Sequence, residues 1–138
     1  MSIQAVLLPV FVQVFLTWIV GFTLAARRTA AFKSGTKYRD IALREPNWPQ
    51  PALQAQYSFA NQFELPVLFF AACLTVHALG ATSAATVALA WVFVASRYVH
   101  AAIHITTNRI RHRQPAFVVG YVALAVIWAI IVWRLAAG

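Results

Sequence analysis

The chain has 138 residues, 62% of them hydrophobic and 10% charged. Soluble domains run at roughly 45–50% apolar and about 25% charged, so a water-soluble globular domain is excluded and a single-domain integral membrane protein is expected. The formal charge of +8 comes from eleven Lys and Arg against three Asp and Glu. These basic residues gather in two connections between apolar runs, the pattern of a topology signal, so no nucleic-acid partner is expected.

Four apolar segments are long enough to span, at about 20 residues each. They cover about 3–26, 57–79, 82–106 and 116–135, and predict an all-α, four-helix transmembrane bundle filling 1–138. Residues 1–26 lack a basic start and a small-residue cleavage site, so no cleavable signal is expected. The first connection holds Arg27, Arg28, Lys33, Lys37, Arg39 and Arg44 against Asp40 and Glu45. It ends in EPNWPQP, where three prolines argue against helix.

The second span, YSFANQFELPVLFFAACLTVHAL, carries Asn61 and Glu64 on one helix face together with Tyr57 and Leu68. A carboxylate at mid-membrane costs about 2.5–3.5 kcal/mol on insertion scales, so Glu64 is expected to face protein or a water-filled cavity and to have a partner. Cys73, the only cysteine, excludes an internal disulfide and is expected in the core, and His77 near the other end reads as structural. The connection at 80–81 is so short that helices two and three are expected to form a tight antiparallel hairpin.

Helix three carries a polar stripe in ASRYVHAAIHITTNRIRHR. Arg97, His100, His104 and Arg111, spaced three, four and seven, share a face if the helix runs on through Arg111. Glu64 and Arg97 would both lie about 10–14 Å below the basic boundary at 1.5 Å per residue. A buried Glu64–Arg97 pair follows as an expectation, with Asn61 as a nearby donor. The third connection, NRIRHRQP, adds Arg109, Arg111 and Arg113 and ends at Pro115, which can open helix four.

Both basic connections lie on one side of such a bundle. The positive-inside rule places them in the cytoplasm and both termini outside, in what is expected to be a bacterial inner membrane. The stripe, with Arg27 and Arg28 at the end of helix one, outlines a pocket for an anionic ligand with an apolar part. Taken singly, Arg27, Arg28, Arg109 and Arg113 read as topology and lipid-headgroup residues. His100 and His104 at i and i+4 could bind a metal, but no third ligand follows at a sensible spacing, and no metal is expected.

An alanine-arginine-arginine close to helix one, N-x-x-E and then Pro in helix two, and R-x-x-H-x-x-x-H followed by Arg in helix three together resemble the MAPEG family, the membrane-associated proteins in eicosanoid and glutathione metabolism. The resemblance covers nearly the whole chain. It implies a homotrimer binding glutathione as co-substrate between subunits near the cytoplasmic face, and a transferase or peroxidase acting on lipophilic electrophiles. It implies that Asn61 and Glu64 hold the peptide, that Arg111 stabilises the thiolate, that Arg97 is the family's helix-three arginine, and that Arg27 or Arg28 is supplied across the interface. The chain departs from the pattern at Tyr57, where glutathione-handling members carry arginine, and at His100 and His104, where they often carry tyrosine. It is also one residue shorter between Glu64 and Pro66 than several relatives. Two other readings are a protein of this fold that binds an anionic amphiphile or lipid without chemistry, and a small proton-coupled transporter with Glu64 as carrier.

Overall fold

The apolar runs build four membrane-length helical spans in up-down-up-down order. The computed structural model describes residues 2–137. A 3₁₀ turn at Ile3–Leu7 leads into α1, Leu8–Lys33, with Pro9 in its first turn, where a missing N–H has little consequence. A single turn, α2 (Tyr38–Ile41), and a 3₁₀ turn at Glu45–Asn47 lie in the first connection. The second span is two helices, α3 (Gln50–Ala60) and α4 (Leu65–Ala78), joined by a 3₁₀ turn at Asn61–Phe63. Then come α5 (Ala84–Ile105) and α6 (Ile110–Ala136), and no strand occurs among the described residues.

The spans Gln4–Lys33, Gln50–Ala78, Ala84–Ile105 and Ile110–Ala136 are long and apolar enough to cross a membrane. Even the shortest, at 1.5 Å per residue, reaches about 33 Å and clears a hydrocarbon layer of about 30 Å. They are the spans of an integral membrane protein.

Three expected boundaries move at the basic end. Helix one continues past Arg27 and Arg28 to Lys33, because lysine and arginine are good helix formers once the chain leaves hydrocarbon. Helix two starts at Gln50, inside the proline-rich segment: Pro49 is its N-cap and Pro51 stands in its first turn, so the prolines start this helix as much as they forbid one before it. Helix four starts at Ile110, which leaves Pro115 inside it. The missing N–H of Pro115 deprives the Arg111 carbonyl of its usual partner, a defect tolerable at a hydrated helix end.

Helix three stops at Ile105 and does not run on through Arg111. Asn108, in the left-handed region at φ 50°, turns the chain, and its N–H reaches back to the Ile103 carbonyl at 2.7 Å. Arg111 therefore belongs to the first turn of α6 and leaves the stripe of Arg97, His100 and His104.

The expected tight packing of helices two and three is also corrected. Their connection is short, and Ser83 and Thr86 cap α5 reciprocally. Yet the main partner of α5 is α6, while α3 packs chiefly on α1 and α4 touches α5 only slightly. Small residues decide this. A Cβ on Gly120 of α6 would stand 2.4 Å from the Ser96 hydroxyl of α5, so the two backbones approach as closely as only glycine permits.

The apolar core fills the end of the bundle away from the basic connections. It centres on Phe69, Phe93, Ile127 and Ile131, with Phe69 and Phe93 stacked at 4.3 Å and Cys73 buried among them. A smaller cluster of Leu16, Val20 and Ala101, covered by Phe59 and Tyr98, lies toward the basic half. The polar face of α5 begins there.

Candidate functional site

Three side chains of α5 are buried although they can carry charge: Arg97 is 1% exposed, His100 5% and His104 4%. Their three- and four-residue spacing holds them on one stripe, which α3, the 3₁₀ turn and α6 cover. Arg97 reaches the break in helix two, where its Nη2 donates to the Asn61 carbonyl at 3.2 Å. Its guanidinium also lies 6.0 Å from the centre of the Phe117 ring on α6. The His100 and His104 rings meet edge to face at 5.8 Å, and His100 is equally close to Phe117.

The expected Glu64–Arg97 ion pair does not form. Among the described residues the one ion pair is Arg39–Asp40, at the surface. Asn61 serves Arg97 through its backbone oxygen, not as a donor, and its own side chain turns back to donate to the Tyr57 carbonyl at 2.9 Å. The cause lies in the packing of helix two. Its buried face is Ala52, Ala55, Ser58 and Gln62, small or neutral residues that seat against α1, so Tyr57 and Glu64 are turned outward in the protomer.

That buried face contains a polar joint that sequence reasoning missed. Gln13 of α1, fully buried, donates from Nε2 to Oε1 of Gln62 at 3.2 Å, and Gln62 donates to the Ser58 carbonyl at 3.2 Å. The available signal was Gln13, a glutamine in the middle of a mostly apolar first span. In that setting an amide needs an amide partner.

Around the α5 stripe, Asn61, His100, Ile110, Arg113, Gln114 and Phe117 line a cleft of about 240 Å³. Arg113 is its guanidinium, held by a 2.6 Å bond to the Asn108 side chain, and Arg111, two residues earlier, is exposed outside it. The cleft lies at the N-terminal end of α6, the positive end of the helix dipole. Basic residues in that first turn oppose the helix dipole, which adds to the demand for negative charge. Behind the cleft, Nε and Nη1 of Arg97, both ring nitrogens of His100 and Nδ1 of His104 are buried without a partner. Buried polar atoms are nearly always satisfied, so five orphans on three adjacent residues mark a place where something polar belongs.

Arg27 has a different role in the protomer. Its two terminal nitrogens donate to the carbonyls of Pro51 at 3.0 Å and Ile105 at 2.5 Å. Gln54 adds bonds to the carbonyls of His104 at 2.6 Å and Thr106 at 3.1 Å. Together they cap the C-terminal end of α5, whose last carbonyls lack intrahelical partners. Arg28 points elsewhere, bonding the Gln56 side chain and lying 4.8 Å over the Trp48 ring. No group of three His, Cys, Asp or Glu among the described residues is placed to hold a metal ion.

The fold is a four-span membrane bundle with a cationic cleft at its basic end. The profile of the MAPEG family matches residues 5–133, and the chain belongs to that family. No curated protein and no solved structure matches it.

Proposed function

We propose that this protein is a glutathione-dependent transferase or peroxidase acting on lipophilic electrophiles at the cytoplasmic side of the membrane, working as a homotrimer. The observation that carries the reading is the set of orphaned nitrogens on Arg97, His100 and His104 behind the Arg113 cleft. Glutathione carries two carboxylates, one ammonium and several amide groups, and a buried guanidinium beside two imidazoles, each with one donor and one acceptor nitrogen when neutral, suits it.

In this reading Asn61, Arg97, His100 and His104 hold the peptide, and a guanidinium at the mouth stabilises the thiolate. A free thiol of pKa about 8.5 is mostly neutral at pH 7, and a fixed positive charge lowers that value. Each unit is worth about 1.4 kcal/mol. The proton leaves to solvent, the thiolate attacks the electrophilic carbon, and a thioether forms as the leaving group departs. Arg113 suits this role better than Arg111, because it lines the cleft. The lipophilic partner would enter from the bilayer across Phe117.

Glu64 supports the assembly. It is exposed in the protomer at a depth where a lipid-facing carboxylate is costly, so a neighbouring subunit gives it a polar surface.

The test is glutathione titration by calorimetry, with thiolate absorbance followed in parallel, on wild type, Arg113→Gln and Arg111→Gln. The expected result is saturable binding, thiolate lost in R113Q and kept in R111Q. Equal thiolate in all three would remove Arg113 from the role. A folded protein that does not bind glutathione would favour the second reading, a non-catalytic protein binding an anionic amphiphile. Tyr57 favours that alternative only by taking the place of an arginine expected for glutathione: the cleft it lines with Gln54, Thr106 and Asn108 contains no guanidinium.

A further inference from the structure

We infer that the connection between α1 and α3 carries a binding site for the headgroup phosphate of an anionic phospholipid. The site is a cleft of about 370 Å³ formed by Arg28, Arg44, Glu45, Trp48 and Gln56. It shares no residue with the Arg113 cleft and does not depend on the glutathione reading.

Its base is built. Arg28 comes from α1, is tied to Gln56 of α3 and lies against the Trp48 ring, which packs in turn on Phe32 at 5.4 Å. Phe32 also meets Tyr38 at 4.5 Å. The aromatic groups thus fix the arginine, yet its Nε is buried without a partner. Across the cleft, the Arg44 side chain has no hydrogen-bond or ion-pair partner among the described residues. Two guanidiniums against the one Glu45 carboxylate leave a lining of net charge +1, which complements a single phosphodiester charge.

The rim has the character of the rest of a lipid. Ile41 and Leu43 complete the lining, and Leu43 is fully exposed. Its backbone sits at φ 56°, a left-handed conformation unfavourable for a bulky side chain. The connection thus holds strain while turning an isolated leucine outward beside a cationic cleft. That arrangement is unfavourable in water and fitting beside an acyl chain. The location agrees: α1 ends at Lys33 and α3 begins at Gln50, so Trp48 and Tyr38 stand at the level where aromatic residues meet headgroups. Lys37 adds positive charge to the same connection, where Arg39 is paired with Asp40.

The experiment uses full-length detergent-purified protein stripped of lipid, offered phosphatidylglycerol or phosphatidylcholine, with bound lipid counted by native mass spectrometry. Wild type should retain phosphatidylglycerol in preference, and Arg44→Gln should reduce that preference about five-fold, the value of one arginine near an anionic surface. Arg109→Gln removes the same charge from the same end outside the cleft and should leave the preference intact. Arg44 is exposed and its side chain bonds nothing, so helical content should be unchanged. Equal losses in R44Q and R109Q would mean diffuse attraction and overturn the site. No loss in R44Q, or displacement of the lipid by an equal concentration of inorganic phosphate, would overturn it as well.

Discussion

Arg97 of α5 donates to the Asn61 carbonyl at the break in helix two, and two of its other guanidinium nitrogens are buried with nothing to bond. One hydrogen bond does not explain a fully buried cation. Removing the Asn61 contact alone costs about 1–3 kcal/mol, while replacing a desolvated charge with an apolar group of similar size is often neutral or stabilising. Arg97→Met is therefore expected to change the melting temperature little and to weaken glutathione binding at least ten-fold, about 1.4 kcal/mol. A large loss of stability with affinity retained would make Arg97 a bundle fastener. Calorimetric titration and thermal unfolding in the same detergent decide between them.

The cap on α5 should show in stability. Arg27→Ala and Gln54→Ala each remove bonds to carbonyls at one helix end and should each cost about 1–2 kcal/mol. Because the two residues serve one terminus, the double variant should lose less than the sum of the two. Strict additivity in denaturation midpoints would show that they act independently.

The α5–α6 contact tolerates no side chain at position 120. Gly120→Ala places a methyl group against the Ser96 hydroxyl, which donates to the Phe93 carbonyl at 2.6 Å. The expected loss is about 1–3 kcal/mol. Adding Ser96→Ala should restore most of it by removing the obstructing oxygen. Failure of that rescue in thermal unfolding would mean that the helices separate for another reason.

Glu64 tests the assembly. Glu64→Leu should leave the helical content of the protomer intact, since the side chain has no ion-pair partner within it. It should lower the fraction of the proposed trimer seen by native mass spectrometry or light scattering. An unchanged oligomer would place Glu64 away from any subunit contact.

Much of this molecule is determined by its sequence alone. Hydrophobic runs of membrane length need no tertiary information, because lipid requires every backbone group to be satisfied within its own helix. The order of the short motifs around Arg97, His100, Asn61 and Glu64 was enough to point to the MAPEG family. The burial of Arg97, His100 and His104 on one face followed from helical spacing. What spacing could not settle was which face of helix two turns inward, because Ser58 and Gln62, four apart, mark a helix face as well as Asn61 and Glu64, three apart, do. Packing against Gln13 decided that, and it turned Glu64 outward. Nor could spacing show where helix three ends. Asn108 reverses the chain, moves Arg111 out of the stripe and brings Arg113 over His100. A helical period places residues relative to their own axis, and only contact between axes decides which arginine faces the cleft.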